Sequence, residues 1–197
     1  MFVQVIQGRL ADVDLWRRQV ETWRTEVKPR TSGYLGSTSG ITADGYTLTV
    51  VRFESEAMAR ANSDLPEQGA WFDQTAKAFD GEVTFHDCAE VDVLLGGGSD
   101  QAGFVQVMQG RAKDPHAMRA ADAQMEAELR RIRPDLLGGI VAWHADSGGF
   151  TQTSYFTSES DARVNEKAMA DSPLLAQFMS LIEGPATFYD LTDISYD

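Results

Sequence analysis

Cysteine is almost missing from this sequence of 197 residues: Cys88 stands alone, so no disulfide can close within the chain. That fits a reducing, cytoplasmic setting and leaves stability to packing. Histidine is scarce as well. His86, His116 and His144 are scattered, with no H-x-x-x-H pair and no Cys/His cluster, so a metal site is not expected. Positive charge is in deficit: 17 Lys and Arg against 30 Asp and Glu give a net charge of −13. Nucleic acid and anionic membrane surfaces both demand Lys and Arg, so neither is an expected partner. No apolar run approaches the length of a membrane span, and Met1-Phe2-Val3-Gln4-Val5 lacks the basic start and apolar run of a secretion signal. There is no Gly-x-Ser-x-Gly elbow, and Cys88 has no local His partner, which leaves hydrolase and thiol chemistry without support.

What the chain has is a repeat. Phe2-Val3-Gln4-Val5-Ile6-Gln7-Gly8-Arg9 returns as Phe104-Val105-Gln106-Val107-Met108-Gln109-Gly110-Arg111, with seven of eight positions identical. The register extends through both halves. Asp12 matches Asp114, Gly36 matches Gly138, and Asp44 matches Asp146; one added residue later, Phe53 matches Phe156, Ser55 matches Ser158, Asn62 matches Asn165, and Gly81 matches Gly184. These agreements fall at caps, turns and strand centres, where backbone geometry restricts residue choice. The spacing predicts a first repeat over 1–95, a Gly-rich linker over 96–103 and a second repeat over 104–197. Gly96-Gly97-Gly98-Ser99 is a flexible-linker composition. It opens no helix and lacks the Lys-Ser/Thr ending, so it is not a phosphate loop.

Within each repeat the periodicity predicts β-α-β-β-α-β. Phe2 to Gly8 reads as a strand. Asp12 reads as the N-cap of a helix carrying Trp16, Val20, Trp23 and Val27 on one face and closed by Lys28-Pro29. Tyr34–Thr42 and Tyr46–Phe53 flank an Asp44-Gly45 hairpin turn. Ser55 caps a helix ending near Asp64, a short helix with Trp71 and Phe72 follows, and Glu82–Cys88 closes the repeat, with Val91–Leu94 as a short extra strand. In the second copy Asp114 and Ser158 are the caps, and the hairpin turns at Asp146-Ser147-Gly148-Gly149. The last strand is expected at Ala186–Asp190. The fold class is therefore α+β: two tandem ferredoxin-like βαββαβ repeats. Because both faces of the first strand carry apolar residues, the two sheets are expected to pack on each other.

The short strand ending in Gly8 or Gly110, Phe53-x-Ser55-Glu56 and Phe156-x-Ser158-Glu159, Pro66 with Trp71, and the Thr84-Phe85 and Thr187-Phe188 strands resemble the dimeric α+β barrel superfamily. The similarity is greatest to its antibiotic-biosynthesis-monooxygenase-like branch, and it spans both repeats. It implies a pseudo-dimer within one chain, open to further homodimerisation, and a small-molecule pocket in each half between sheet and helices. Some members oxidise polycyclic aromatic compounds with O₂ and no metal or bound cofactor. Others degrade haem through an axial His after the Trp of the split helix; no His lies between Trp71 and Gly81.

Read that way, Asn62, Trp71 and His86 are the candidate catalytic set. Asn62 and His86 could donate to a substrate oxyanion, and Trp71 could donate or stack. The plainer reading puts Asn62 on an exposed helix face, Trp71 in the core, and His86 toward the space between the sheets. Asn165 and Tyr189 hold the matching places in the second half, where Leu174 replaces Trp71. Trp16 and Trp23, seven apart on one helix face, could wall a pocket, although Met118 and Met125 at the matching places suit core packing. Trp143-His144 ends a strand with its side chains on opposite faces. The expected function is a cofactor-independent monooxygenase acting on a small aromatic or polyketide-like compound. The alternative is a non-catalytic barrel that binds an apolar ligand or a protein partner.

Overall fold

The computed structural model describes residues 1–145 and 148–197. Its first strand, β1 (Phe2–Arg9), leads into α1 (Val13–Thr22). Asp12 caps that helix by accepting from the Leu15 amide at 2.8 Å, the bond that compensates one of the unpaired donors of a helix start. The expected single helix to Lys28 becomes three pieces: α1, a π-helical turn over Trp23–Val27, and a 3₁₀ turn over Lys28–Arg30. The hydroxyls of Thr22 and Thr25 bond back to the carbonyls of Arg18 and Glu21, and Pro29 brings no N–H. Both weaken the regular ladder at this end.

Strands β2 (Tyr34–Ile41) and β3 (Tyr46–Phe53) form the expected hairpin. Gly45 at φ 83° supplies the left-handed turn residue, and Asp44 Oδ1 accepts from the Thr42 hydroxyl at 2.5 Å. Ser55 caps α2 (Glu56–Ser63), and α3 (Pro66–Thr75) and β4 (Thr84–Cys88) follow. Then come β5 (Glu90–Leu94), β6 (Phe104–Arg111), α4 (Pro115–Ile132), β7 (Leu136–Trp143), β8 (Gly149–Phe156), α5 (Glu159–Met169), α6 (Pro173–Ser180) and β9 (Thr187–Tyr196). Asp114 caps α4 through the amides of His116 and Ala117, and Ser158 caps α5 through that of Asp161. Of the second hairpin turn, Asp146 and Ser147 lie outside the described residues; Gly148 has φ 94°.

The chain divides into two compact units: Met1–Ala89 with Thr192–Asp197, and Glu90–Leu191. In the first, the antiparallel strand order is β4-β1-β3-β2, with the end of β9 beside β2. In the second, the start of β9 lies beside β6, followed by β8, β7 and β5. Thus β5, at the end of the first repeat, is a strand of the second unit. The last six residues belong to the first unit. The final strand runs past Asp190 because Thr192, Ser195 and Tyr196 find partners in Ile41, Ser39 and Thr38, a long-range pairing that local propensity cannot report.

Pleat alternation sets what each unit offers its helices. On β1, Gln4 and Ile6 face the helices, while Val3 and Val5 lie on the other face, fully buried. On β6, Gln106 and Met108 face the helices and Val105 and Val107 do not.

Candidate functional site

Each unit holds a cavity between its sheet and its helices. In the first unit the volume is about 80 Å³. Trp16, Trp23 and Trp71 wall it on the helix side, and Gln4, Ile6, Thr49 and Phe53 form part of the floor. The rings of Trp23 and Trp71 sit 6.5 Å apart, tilted by 60°. Both indole N–H groups are already engaged: Trp23 donates to Gln68 Oε1 at 3.0 Å and Trp71 donates to the Gln19 carbonyl at 2.7 Å. Trp71 is therefore a wall and a tie between helices, and its donor is not available to a ligand. Asn62 lines the same cavity at 7% exposure, not the exposed face of the plainer reading, and its Oδ1 has no protein partner. Asp197 also reaches this cavity, held by Arg24 Nε at 2.7 Å.

His86 does not join that set. It lies opposite Val5 on β4, and cross-strand partners share a face, so it sits on the side of the sheet away from the cavity. The structure brings together Asn62, Trp71, Trp16 and Trp23, and leaves His86 apart.

The second unit is different. Its cavity measures about 500 Å³, about sixfold larger. Where the first unit places Trp71, the second has Leu174, and Met125 lines the wall opposite. Phe156, Phe178 and Phe188 add aromatic surface, and Met108, Met169 and Met179 add pliable thioethers. The residues matched to the first set lie elsewhere. Tyr189 is opposite Val107, on the face away from the cavity. Asn165 donates to the Asp161 carbonyl of its own helix at 3.0 Å and does not line the cavity. Trp143 is buried, donating to Asp92 Oδ2 at 2.6 Å beneath the Arg119 guanidinium, and His144 Nε2 bonds the Thr151 hydroxyl at 2.8 Å; neither lines the cavity.

Two polar residues that the sequence reading passed over do line it. Asp122, on α4, is 7% exposed, and its Oδ2 has no protein partner. Burial, with Asp92 nearby, raises its carboxyl from the ordinary 3.8 to about 7. Gln152, on β8, places an Oε1 without a protein partner in the same lining. Among the described residues, the buried side-chain oxygens without a protein partner are Asn62 Oδ1, Asp122 Oδ2 and Gln152 Oε1; the amide oxygens accept, and the Asp122 carboxyl accepts or, while it holds its proton, also donates. Arg133, a cation in this lining, grips Asp135 at 2.8 Å and stacks 5.1 Å from the Phe156 ring centre. A signal for Asp122 existed in the sequence. It falls four residues after Met118 and three before Met125, a charge inside an apolar helical stripe. Gln152 had none, since polar residues occupy both faces of β8.

No group of three or more His, Cys, Asp or Glu that could hold a metal occurs among the described residues. Nor is any described helix long and apolar enough to cross a membrane.

No protein-family model matches the sequence, and no curated protein matches it. Solved structures do. One is a protein from Fusobacterium nucleatum assigned as a monooxygenase, 9% identical, covering 100% of this chain and 93% of that one with a TM-score of 0.76. Another is an anthrone oxidase-like protein, 14% identical, covering 99% and 92% with a TM-score of 0.67. A third, from Listeria monocytogenes, is a ferredoxin-fold protein related to antibiotic biosynthesis monooxygenases, 12% identical, covering 98% and 95% with a TM-score of 0.53. At such identities the likeness establishes fold and nothing finer: along its whole length this chain has the ferredoxin-like fold of monooxygenase-like proteins.

Proposed function

We propose that the protein oxidises a small aromatic or polyketide-like compound with O₂ and without a cofactor, and that the second-unit cavity is where the compound binds. The observation that carries this is the roughly 500 Å³ apolar cavity with a buried carboxyl poised at about 7. Chemistry of this kind needs a dry, shaped site and a group able to take a proton near neutral pH. An electron-rich phenol or anthrone, once deprotonated, can itself reduce O₂. For an anthrone, one oxygen atom enters the ring as a carbonyl and the other leaves as water. The monooxygenase and anthrone oxidase-like names of the structural neighbours support the same class. In this reading Asn62, Trp71, Trp16 and Trp23 form a second, smaller ligand space in the first unit, and His86 lies outside both.

O₂ consumption with 1,8-dihydroxyanthrone, followed in an oxygen electrode and by incorporation of labelled oxygen into the quinone, tests the proposal. Uptake equal to the buffer rate, with no loss in a variant whose cavity is narrowed by Leu174→Trp, sinks it. A second reading, a non-catalytic carrier of an apolar ligand, rests on the methionine-rich lining, which adapts to more than one shape. That reading predicts retained ligand without oxygen uptake.

A further inference from the structure

The cavity of the second unit is lopsided in its polar chemistry. Its wall is apolar, yet two residues of that wall, Asp122 and Gln152, each carry a buried oxygen, Oδ2 and Oε1, without a protein partner. Leaving a buried acceptor without a donor costs roughly 1–3 kcal/mol each. The charged and amide side chains around them have partners of their own. On α4, Arg119 pairs with Glu90 and Asp92, and Arg130 pairs with Glu126. At the rim, Arg133 pairs with Asp135 and Glu166 pairs with Arg163. Gln152 donates its own amide to Ser154, and Gln106 donates to Asp190. Neither oxygen receives a donor from the protein, and around them the cavity offers aromatic and thioether surface.

We propose that Asp122 is the specificity-determining residue of this cavity: its unpaired carboxyl oxygen accepts the hydrogen bond of a ligand hydroxyl, and the Gln152 amide oxygen accepts a second. The ligand class is then narrower than apolar. It is a flat molecule with at least one hydroxyl, and above pH 7, where Asp122 is ionised and only accepts, its etherified analogue is rejected because the ether leaves both oxygens unpaired. This rests on the cavity being the ligand site of the proposed function, but not on any oxidation taking place there.

The test is calorimetric titration, at pH 8 where Asp122 is ionised, of 1-naphthol and 1-methoxynaphthalene, which differ in a single donor. The unaltered protein is expected to prefer naphthol at least tenfold. Asp122→Leu is expected to reduce that preference below threefold without weakening the ether, and Asp122→Asn, whose amide oxygen still accepts, is expected to keep part of it. Gln152→Leu should give a smaller loss. Circular dichroism melts confirm that the variants fold. Equal affinity for the two probes in the unaltered protein overturns the inference, as does a preference that survives Asp122→Leu. If neither probe binds, this inference falls, and oxygen uptake from the anthrone decides the proposed function separately. Asp122-dependent binding without oxygen uptake from the anthrone leaves the inference standing and removes the oxidation.

Discussion

The indole nitrogen of Trp71 donates to the main-chain carbonyl of Gln19 at 2.7 Å. That carbonyl also receives the Trp23 amide, at the point where α1 gives way to the π-helical turn. One acceptor thus joins α3 to α1 beside the first cavity. Trp71→Phe removes the bond and part of the ring and leaves the carbonyl with its main-chain donor. The expected cost is about 1–2 kcal/mol in urea denaturation. Affinity for ligands of the second unit is expected to stay unchanged in the same variant, since Trp71 lines only the first-unit cavity.

Asp122 makes stability fall as pH rises. Its carboxyl is raised from 3.8 to about 7 by burial and by Asp92. Between those values the unfolded chain has released the proton and the folded chain still holds it. Unfolding then releases a proton, so its free energy drops through that window and is flat above it. Asp122→Asn carries no such term. The variant is expected to gain on the unaltered protein from pH 4 to pH 8, by on the order of a few kcal/mol. Denaturation at both pH values measures this. A constant difference would show that Asp122 is not buried as a neutral acid.

Two glycines separate space from conformation. A Cβ at Gly138, at the irregular start of β7, would lie 2.0 Å from the Gly97 carbonyl oxygen. Gly138→Ala must therefore displace the turn after β5, and a loss above about 2 kcal/mol is expected. Gly69, in the exposed middle of α3, has nothing within 4 Å. Gly69→Ala should stabilise by about 0.5–1 kcal/mol. Thermal melts of the two variants should move in opposite directions.

The Asp197 carboxylate, 9% exposed, accepts from Arg24 Nε at 2.7 Å and from Lys28 at 3.4 Å. Its main chain pairs with Ser37 in both directions. Asp197→Ala is expected to cost about 1–2 kcal/mol, less than a fully buried pair because Arg24 is one-third exposed. The loss should shrink in high salt, measured by denaturation in 1 M sodium chloride.

Much of the local structure was legible because its causes are local. Asp12, Ser55, Asp114 and Ser158 cap helices in the structure as their sequence positions foretold, and Gly45 turns the first hairpin. The helix through Trp23 was read too simply, since hydroxyl back-bonding and Pro29 compete with the ladder only once the turn has formed. The candidate site was legible in part. Asn62, Trp71, Trp16 and Trp23 do share a cavity, but His86, grouped with them as a donor, is sent by strand parity to the other face, where the plainer reading had put it. Asp122 was missed because a charge in an apolar stripe looks like an interruption until burial is known.

The sequence by itself determined the α+β class, the order of elements in each repeat and most of the caps and turns. These follow from side-chain spacing and from backbone preferences that act within a few residues. Only the tertiary structure decided that β5 belongs to the second unit and the last six residues to the first, because strand pairing joins residues far apart in the chain. It alone also decided the site. Leu174 and Met125 leave open in the second unit what Trp71 and Trp23 crowd in the first, and a cavity is a difference between volumes that no single position records.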